Sequence, residues 1–252
     1  MKKFIASVLL VLSAGFAAAP VALAGGGGNV NLEHANIDLH NKGSLQRGAK
    51  YYVNYCMGCH SLKFSRYNRL ATDLGLTDEQ VADNFIFTRT KGEKTKVGEL
   101  MKNGMPAEDS ERWFGTMPPD LSLVGRSRGG DWIYSFLKAF YVDPSRPLGV
   151  NNTVFENAGM PHVLWELQGW QEKETADDGK GHQTHTLNLT QPGSATPEEY
   201  DQIVTDITNF LVYVGEPAQL HRKRIGWWVL IFLGLFAIVA YFLKKEYWKD
   251  VH

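Results

Sequence analysis

Cys56-Met57-Gly58-Cys59-His60 is the segment that decides how the rest of this 252-residue chain is interpreted. Its spacing, C-x-x-C-H, is the attachment signature of c-type haem. Two thiols on one turn of helix can add as thioethers to two vinyl groups on one edge of a porphyrin. The neighbouring imidazole can then bind the iron. The sequence therefore predicts one covalently bound haem c, attached at Cys56 and Cys59, with His60 as an axial ligand of the iron.

Three other uses of the motif fit the sequence less well. A thioredoxin-like C-x-x-C would need a βαβ pattern around it, which the sequence lacks. A structural zinc site needs four ligands, and the chain has two cysteines in total. A disulfide between Cys56 and Cys59 would be strained at this spacing and would leave His60 without a role.

The N-terminal residues have the pattern of an export signal. A basic start, Met1-Lys2-Lys3, precedes an almost wholly apolar stretch that ends Val21-Ala22-Leu23-Ala24. This pattern predicts a secretory signal peptide over residues 1–24, cleaved after Ala24. Export would also place the haem motif in the compartment where bacteria attach haem c.

The C-terminal part predicts one membrane anchor. Residues 225–243 carry no charge and, as a helix, would be about 28 Å long, close to the thickness of a bilayer core. We expect an exported haem c domain over residues 25–216, a basic juxtamembrane segment over 217–224, a transmembrane helix over 225–243 and a cytoplasmic tail over 244–252. The expected location is the bacterial cytoplasmic membrane, with the haem domain on the periplasmic side.

Charge and composition exclude several classes of protein. Apolar residues make up 44% of the chain and charged residues 21%, which excludes a disordered or fibrous protein. The net charge of −1 excludes a nucleic-acid binder with a broad basic face. Without the two basic ends, residues 25–216 carry a net charge of −7, so the predicted haem domain is acidic.

Helix signals surround the motif. Thr196 and Thr77 each begin a capping box, and apolar residues follow each at helical spacing. Asp131 and Ser44 are predicted as two further N-caps, the second for a helix that runs into Cys56. Loops are predicted over residues 91–130 and 166–201, the latter acidic and without periodicity. The fold class is therefore mainly α: a c-type cytochrome domain of short helices and long loops, followed by one C-terminal transmembrane helix.

Local chemistry does not identify the sixth ligand of the iron. A methionine thioether favours electron transfer, whereas an open position favours catalysis. Excluding Met1 and Met57, the candidates are Met101, Met105, Met117 and Met160, and the last three precede proline, which suits a loop that projects a thioether. His162 is a further possibility.

Several motifs together resemble the cytochrome c1 family. They are the haem motif followed by Ser61-Leu62, Met117-Pro118-Pro119-Asp120-Leu121-Ser122, Arg126-Ser127-Arg128-Gly129-Gly130, Gly159-Met160-Pro161, and His221-Arg222-Lys223-Arg224 before the apolar helix. The resemblance extends in order over residues 44–250. It implies a haem c subunit of a respiratory quinol–cytochrome c reductase, with cytochrome b and a Rieske iron–sulfur protein as partners. Electrons would pass from the Rieske protein to a soluble c-type cytochrome.

The resemblance also bears on individual residues. It implies Met160 as the second axial ligand, so that His60 and Met160 bind the metal, and it implies that Arg126 contacts a haem propionate.

As a lone chain the protein would be an electron carrier rather than a complete enzyme. Two alternatives remain: an anchored monohaem carrier outside that complex, and a haem enzyme with an open iron site.

Overall fold

The computed structural model describes residues 32–90, 92–177 and 183–250, so the predicted signal peptide lies outside the described residues. The described part is mainly helical, which confirms the predicted fold class. The helices are α1 (Lys42–Tyr51), α2 (Tyr67–Leu74), α3 (Asp78–Phe85), α4 (Ala107–Phe114), α5 (Val124–Ser127), α6 (Gly130–Lys138), α7 (Trp165–Gln168), α8 (Pro197–Gly215) and α9 (Gln219–Tyr247).

Short antiparallel strand pairs link the helices. In chain order, the strands are β1 (Leu62–Arg66), β2 (Arg89–Thr90), β3 (Glu93–Lys94), β4 (Leu100–Met101), β5 (Phe140–Val142), β6 (Val150–Asn152), β7 (Gly169–Asp177) and β8 (Gln183–Pro192). They pair as β1–β4, β2–β3, β5–β6 and β7–β8.

Helix α8 is the centre of the domain. Its capping box is formed as predicted, because the Thr196 side chain accepts from the Glu199 amide and the Glu199 side chain accepts from the Thr196 amide. The helix ends at Gly215, also as predicted. Its apolar stripe is buried and faces α1, α5 and α6; the predicted members Tyr200, Ile203, Val204, Ile207, Leu211 and Val214 are all in the core.

Helix α1 crosses α8 at close range. A Cβ atom on Gly48 would overlap the carbonyl oxygen of Asp206 and would lie 2.8 Å from the Cβ atom of Phe210. At the same crossing the buried Asp206 carboxylate accepts from Arg47 through two nitrogens, at 2.6 and 2.9 Å, and from the Ser44 hydroxyl at 2.6 Å. The crossing positions the haem motif, which directly follows α1.

Two predicted N-caps were placed wrongly. Helix α1 begins one turn before Ser44, because the Asn41 side chain accepts from the Ser44 amide, while the Ser44 hydroxyl bonds Asp206. Helix α6 is preceded by Gly129, with φ of 88°, rather than by Asp131. The Asp131 carboxylate instead accepts from the Ala35 amide at 2.8 Å. In both cases a tertiary contact uses the side chain that local capping would have used.

The acidic segment 166–201 is largely not a loop. Strands β7 and β8 form a hairpin within it, paired from Gly169 opposite Pro192 to Asp177 opposite Gln183 with one shift of register between Trp170 and Gln171. Polar contacts attach its base to β5: Gln171 donates to the Phe140 carbonyl at 2.8 Å, and the Lys173 ammonium donates to the Tyr141 hydroxyl at 3.0 Å. Polar bonds and cross-strand pairing stabilise β7, so the strand does not depend on an apolar face. Its sequence therefore lacks the apolar alternation that predicts a strand.

Helix α9 leaves the domain and, apart from Gly226, is exposed from His221 to its end. Among the described residues it is the one helix long and apolar enough to cross a membrane, which supports membrane anchoring. It begins at Gln219, so most of the predicted juxtamembrane segment is its first turns rather than a separate element. Leu220, in the first turn, packs against the domain core.

Candidate functional site

The haem motif begins at the end of α1, where the helix widens. Residues Tyr52–Cys56 form a π-helical turn, in which the Met57 amide donates to the Tyr52 carbonyl at 2.9 Å. The amides of Cys59 and His60 then both donate to the Cys56 carbonyl, at 3.1 and 2.9 Å. Turns of this widened type often occur at functional sites in helices. Here the turn places both thiols and the imidazole in the wall of one cavity.

That cavity has a volume of about 480 Å³ and lies between the haem motif that follows α1 and helices α5, α6 and α8. Most of its lining is apolar, and the surrounding polar groups are few. The apolar side chains in the wall include Phe114, Leu123, Val124, Trp132, Ile133, Phe136, Leu137, Val163, Ile207 and Leu211. A volume of this size and a mainly apolar wall are typical of cofactor sites.

The His60 ring is fixed by the segment that contains Pro119. Its Nδ1 lies 2.7 Å from the Pro119 carbonyl oxygen, which can only accept, so Nδ1 carries the proton and donates. The other ring nitrogen, Nε2, is then left with a lone pair, as a metal ligand requires. Burial lowers the pKa of His60, and the bond to Pro119 opposes this shift. The imidazole is therefore neutral and oriented at neutral pH.

The residues after Pro119 attach that segment to the chain that follows the motif. The Asp120 carboxylate accepts from the Lys63 amide at 2.8 Å and from the Ser122 amide at 2.9 Å. The Phe64 amide donates to the Ser122 hydroxyl at 3.1 Å. These bonds hold the Pro119 carbonyl over His60, which gives the Pro-Asp-Leu-Ser sequence a structural reason.

The two cysteines are free thiols rather than a disulfide. Cys56 is buried, and burial raises the pKa of its thiol to about 12. Burial also raises the pKa of Cys59. Both sulfurs are therefore neutral thiols at neutral pH.

Two of the candidate methionines line the cavity and two do not. Met117 and Met160 both lie in its wall. Met101 is wholly buried and pairs with Leu62 in the β1–β4 ladder, away from the wall. Met105 does not line the cavity. The structure thus reduces the candidates to two, and the choice of Met160 stays a prediction from the resemblance.

His162 lies in a different environment from the iron site. Its ring stacks on Phe140 at 5.1 Å and meets Trp170 edge-on at 5.8 Å. Burial lowers its pKa to about 4. His162 is not among the residues of the cavity wall, so this geometry favours a packed core histidine over a ligand.

Arg126 lies in α5 and Arg128 directly follows it, and the two side chains have different surroundings. One Arg126 nitrogen binds the Glu216 carboxylate at 2.6 Å, and Arg126 does not line the cavity. Arg128 does line it, with its guanidinium 5.0 Å from the centre of the Trp132 ring and 5.9 Å from that of Phe155. The sequence analysis selected Arg126 and missed Arg128. The Arg-x-Arg spacing shows two arginines close together, but it does not show which of them faces the cavity.

These features together fit the haem c that the motif predicts. An apolar cavity suits the macrocycle, Cys56 and Cys59 supply two thiols from one side, and His60 presents an unprotonated nitrogen. A thioether from Met117 or Met160 is present in the wall, and Arg128 offers a cation for a carboxylate. The donor set of one imidazole and one thioether is that of low-spin, electron-transferring haems.

Comparison with known proteins agrees with this chemistry. Residues 33–251 match the family described as the Cytochrome C1 family. A cytochrome c1 from Allochromatium vinosum is 52% identical, with both chains covered in full. A protein named ammonia monooxygenase gamma subunit, from Nitrosomonas europaea, is 44% identical over 93% of this chain and 94% of its own. The mitochondrial cytochrome c1 haem protein of Saccharomyces cerevisiae is 26% identical over 82% of this chain and 67% of its own.

The five-residue haem motif alone would not produce a family match over residues 33–251. It would also not produce 52% identity over the full length of a relative. Membership implies a haem c cofactor and a place as the haem subunit of a bc1 complex. On this evidence the chain belongs to the cytochrome c1 family.

Proposed function

We propose that this protein accepts an electron from a Rieske iron–sulfur protein and passes it to a soluble c-type cytochrome, as part of a quinol–cytochrome c reductase that also contains cytochrome b. The strongest support is that one chain combines two features. His60 and both cysteines line one cavity, and a helix able to span a membrane follows the same domain. Haem c, when bound, supplies a reversible one-electron couple. The protein's own part is to hold the group at Cys56, Cys59 and His60 and to exclude water from it.

The test of this function is reduction by quinol in the isolated complex. The protein extracted from its native membrane in mild detergent should copurify with cytochrome b and a Rieske protein. Its haem should be reduced by added quinol, and this reduction should stop when the Rieske protein is extracted. A haem reduced at the same rate without the Rieske protein would contradict the proposed electron path.

The Nitrosomonas relative motivates a second candidate function. That relative is named as a subunit of an ammonia monooxygenase, and this chain is similar to it over nearly its whole length. Copurification with monooxygenase subunits, in place of cytochrome b, would favour that function for this chain.

We further propose that the haem domain lies on the periplasmic side, as the export signal predicts, with the residues after α9 in the cytoplasm. Protease added to intact spheroplasts should then remove the haem-stained band. A band that survives this treatment, but not treatment after lysis, would place the domain inside.

Mutation can distinguish the roles of Arg126 and Arg128. Arg128 lines the cavity, so Arg128→Gln should remove a cation from its wall and lower the haem potential by tens of millivolts, the order expected for one charge about 10 Å from the iron. Arg126→Gln should change the potential less, since Glu216 already neutralises Arg126. Redox titration measures both variants, and a larger shift in Arg126→Gln would support the sequence prediction that Arg126 contacts the propionate.

The β7–β8 hairpin is a candidate docking element for a basic acceptor. Glu172 and Glu174 point to the same, exposed face of β7, while Lys173 lies on the other face against Tyr141. We expect the rate of electron transfer to a basic cytochrome to fall as salt rises. The double change Glu172→Lys and Glu174→Lys should flatten that dependence in stopped-flow measurements without altering the haem spectrum. A salt dependence equal to that of the wild type would show that these glutamates do not attract the acceptor and are only a solvated surface.

A further inference from the structure

Glu216 lies in the short linker between the haem domain and the membrane helix. Helix α8 ends at Gly215 and α9 begins at Gln219, so residues 216–218 are the whole connection. The Gln219 amide donates to the Glu216 carbonyl at 3.0 Å, which folds the linker into a turn. A connection this short is where a hinge between domain and anchor would be expected.

Two arginines from opposite sides of this linker bind the Glu216 carboxylate. Arg126, on the domain side, donates through Nη1 to Oε2 at 2.6 Å. Arg222, in α9, donates through Nε to Oε1 and through Nη2 to Oε2 at 3.1 Å. The Glu216 side chain is only 16% exposed, although both arginines are more than half exposed. We propose that Glu216, Arg126 and Arg222 form a clamp that fixes the haem domain at one angle to α9.

The domain end of the clamp is rigid. Helix α5, which carries Arg126, packs so closely on α8 that a Cβ atom on Gly125 would lie 2.7 Å from the Leu211 carbonyl oxygen. The same helix forms part of the cavity wall through Val124 and Ser127. The clamp therefore joins the wall of the haem site directly to the membrane helix.

The strength of the clamp comes from its geometry rather than from the number of charges. A single exposed ion pair contributes little to stability, whereas a bidentate arginine in a network with a shared, half-buried carboxylate contributes more. Hydrogen bonding from Arg222, and the charges of Arg222 and Arg126, hold the pKa of Glu216 below its usual range. Glu216 is therefore ionised at neutral pH, and both arginines are attracted to it.

In the part of the chain that the structure describes, few other contacts can set the angle of α9. Leu220 packs against the domain core, but apart from Gly226 the helix is exposed from His221 to its end. A reductase subunit must present its haem at a fixed distance and orientation to partners held by the same membrane. The clamp would supply that orientation from within this chain, whichever partners it has.

The test measures haem orientation rather than activity. Full-length protein is reconstituted into membranes, which are dried as oriented layers, and the angle-dependent electron paramagnetic resonance signal of the ferric haem is recorded. The wild type should give a narrow angular distribution. Glu216→Gln and Arg222→Gln should broaden it about twofold or more, as expected when a hinge is released. Arg224→Gln is the matched control, since Arg224 lies two residues from Arg222 and does not bind Glu216.

The outcomes separate this proposal from the proposed function. An unchanged angular distribution in Glu216→Gln overturns the clamp, and equal broadening in Arg224→Gln overturns it as well. Each variant must keep the wild-type ferric spectrum and melting temperature, so that a change in orientation cannot come from a damaged domain. Loss of quinol reduction with a narrow distribution would count against the electron path and leave the clamp in place.

Discussion

Met160→Leu is expected to lower the reduction potential of the haem by an amount on the order of 0.1 V or more, within the range of about 0.8 V over which axial ligands set haem potentials. The thioether sulfur stabilises the reduced iron, and leucine has a similar volume but no donor atom. The weak far-red band of the ferric spectrum, which marks methionine ligation, should disappear. The ferrous form should then bind carbon monoxide.

Met117 is the matched control for this experiment, because its side chain lines the same cavity and is 51% exposed. Met117→Leu should keep the far-red band and a potential near that of the wild type. Met105→Leu should do the same, since Met105 does not line the cavity. A far-red band that persists in Met160→Leu and disappears in Met117→Leu would transfer the axial role to Met117.

Gly48→Ala is expected to destabilise the domain by about 3 kcal/mol or more, a large part of the 5–15 kcal/mol by which domains are usually stable. The added methyl group would overlap the Asp206 carbonyl and press on Phe210, so α1 and α8 would have to separate. Separation would also stretch the bonds from Arg47 and Ser44 to the Asp206 carboxylate. The midpoint of urea unfolding, followed by circular dichroism in detergent, measures the loss.

The same helix supplies a control. A Cβ atom on Gly43 would lie 3.5 Å from its nearest neighbours, which is ordinary contact distance. Gly43→Ala should therefore be neutral or stabilising by up to about 1 kcal/mol, since alanine favours the helix. Equal unfolding midpoints for the two variants would show that the α1–α8 crossing tolerates a methyl group at Gly48.

The sequence alone was sufficient to predict the features that depend on local spacing or on composition. The C-x-x-C-H spacing predicted the haem motif because a porphyrin edge is rigid, and both cysteines and His60 do line one cavity. Capping boxes at Thr77 and Thr196 formed as predicted, since both partners lie within one helical turn. The anchor helix followed from nineteen uncharged residues, because bilayer thickness sets the length that is required.

Only the tertiary structure decided features in which side chains compete for distant partners. Ser44 and Asp131 are good cap residues, yet they bond Asp206 and the Ala35 amide, and the helices begin elsewhere. Of Arg126 in α5 and Arg128 directly after it, Arg128 lines the cavity and Arg126 binds Glu216, a carboxylate ninety residues away that no local pattern connects to it. The β7–β8 hairpin escaped prediction because polar contacts to β5 stabilise it rather than an apolar face. Local spacing and composition thus predicted the haem motif and the anchor, while long-range charge pairing and close helix packing determined how the cavity is built and how it is joined to the membrane helix.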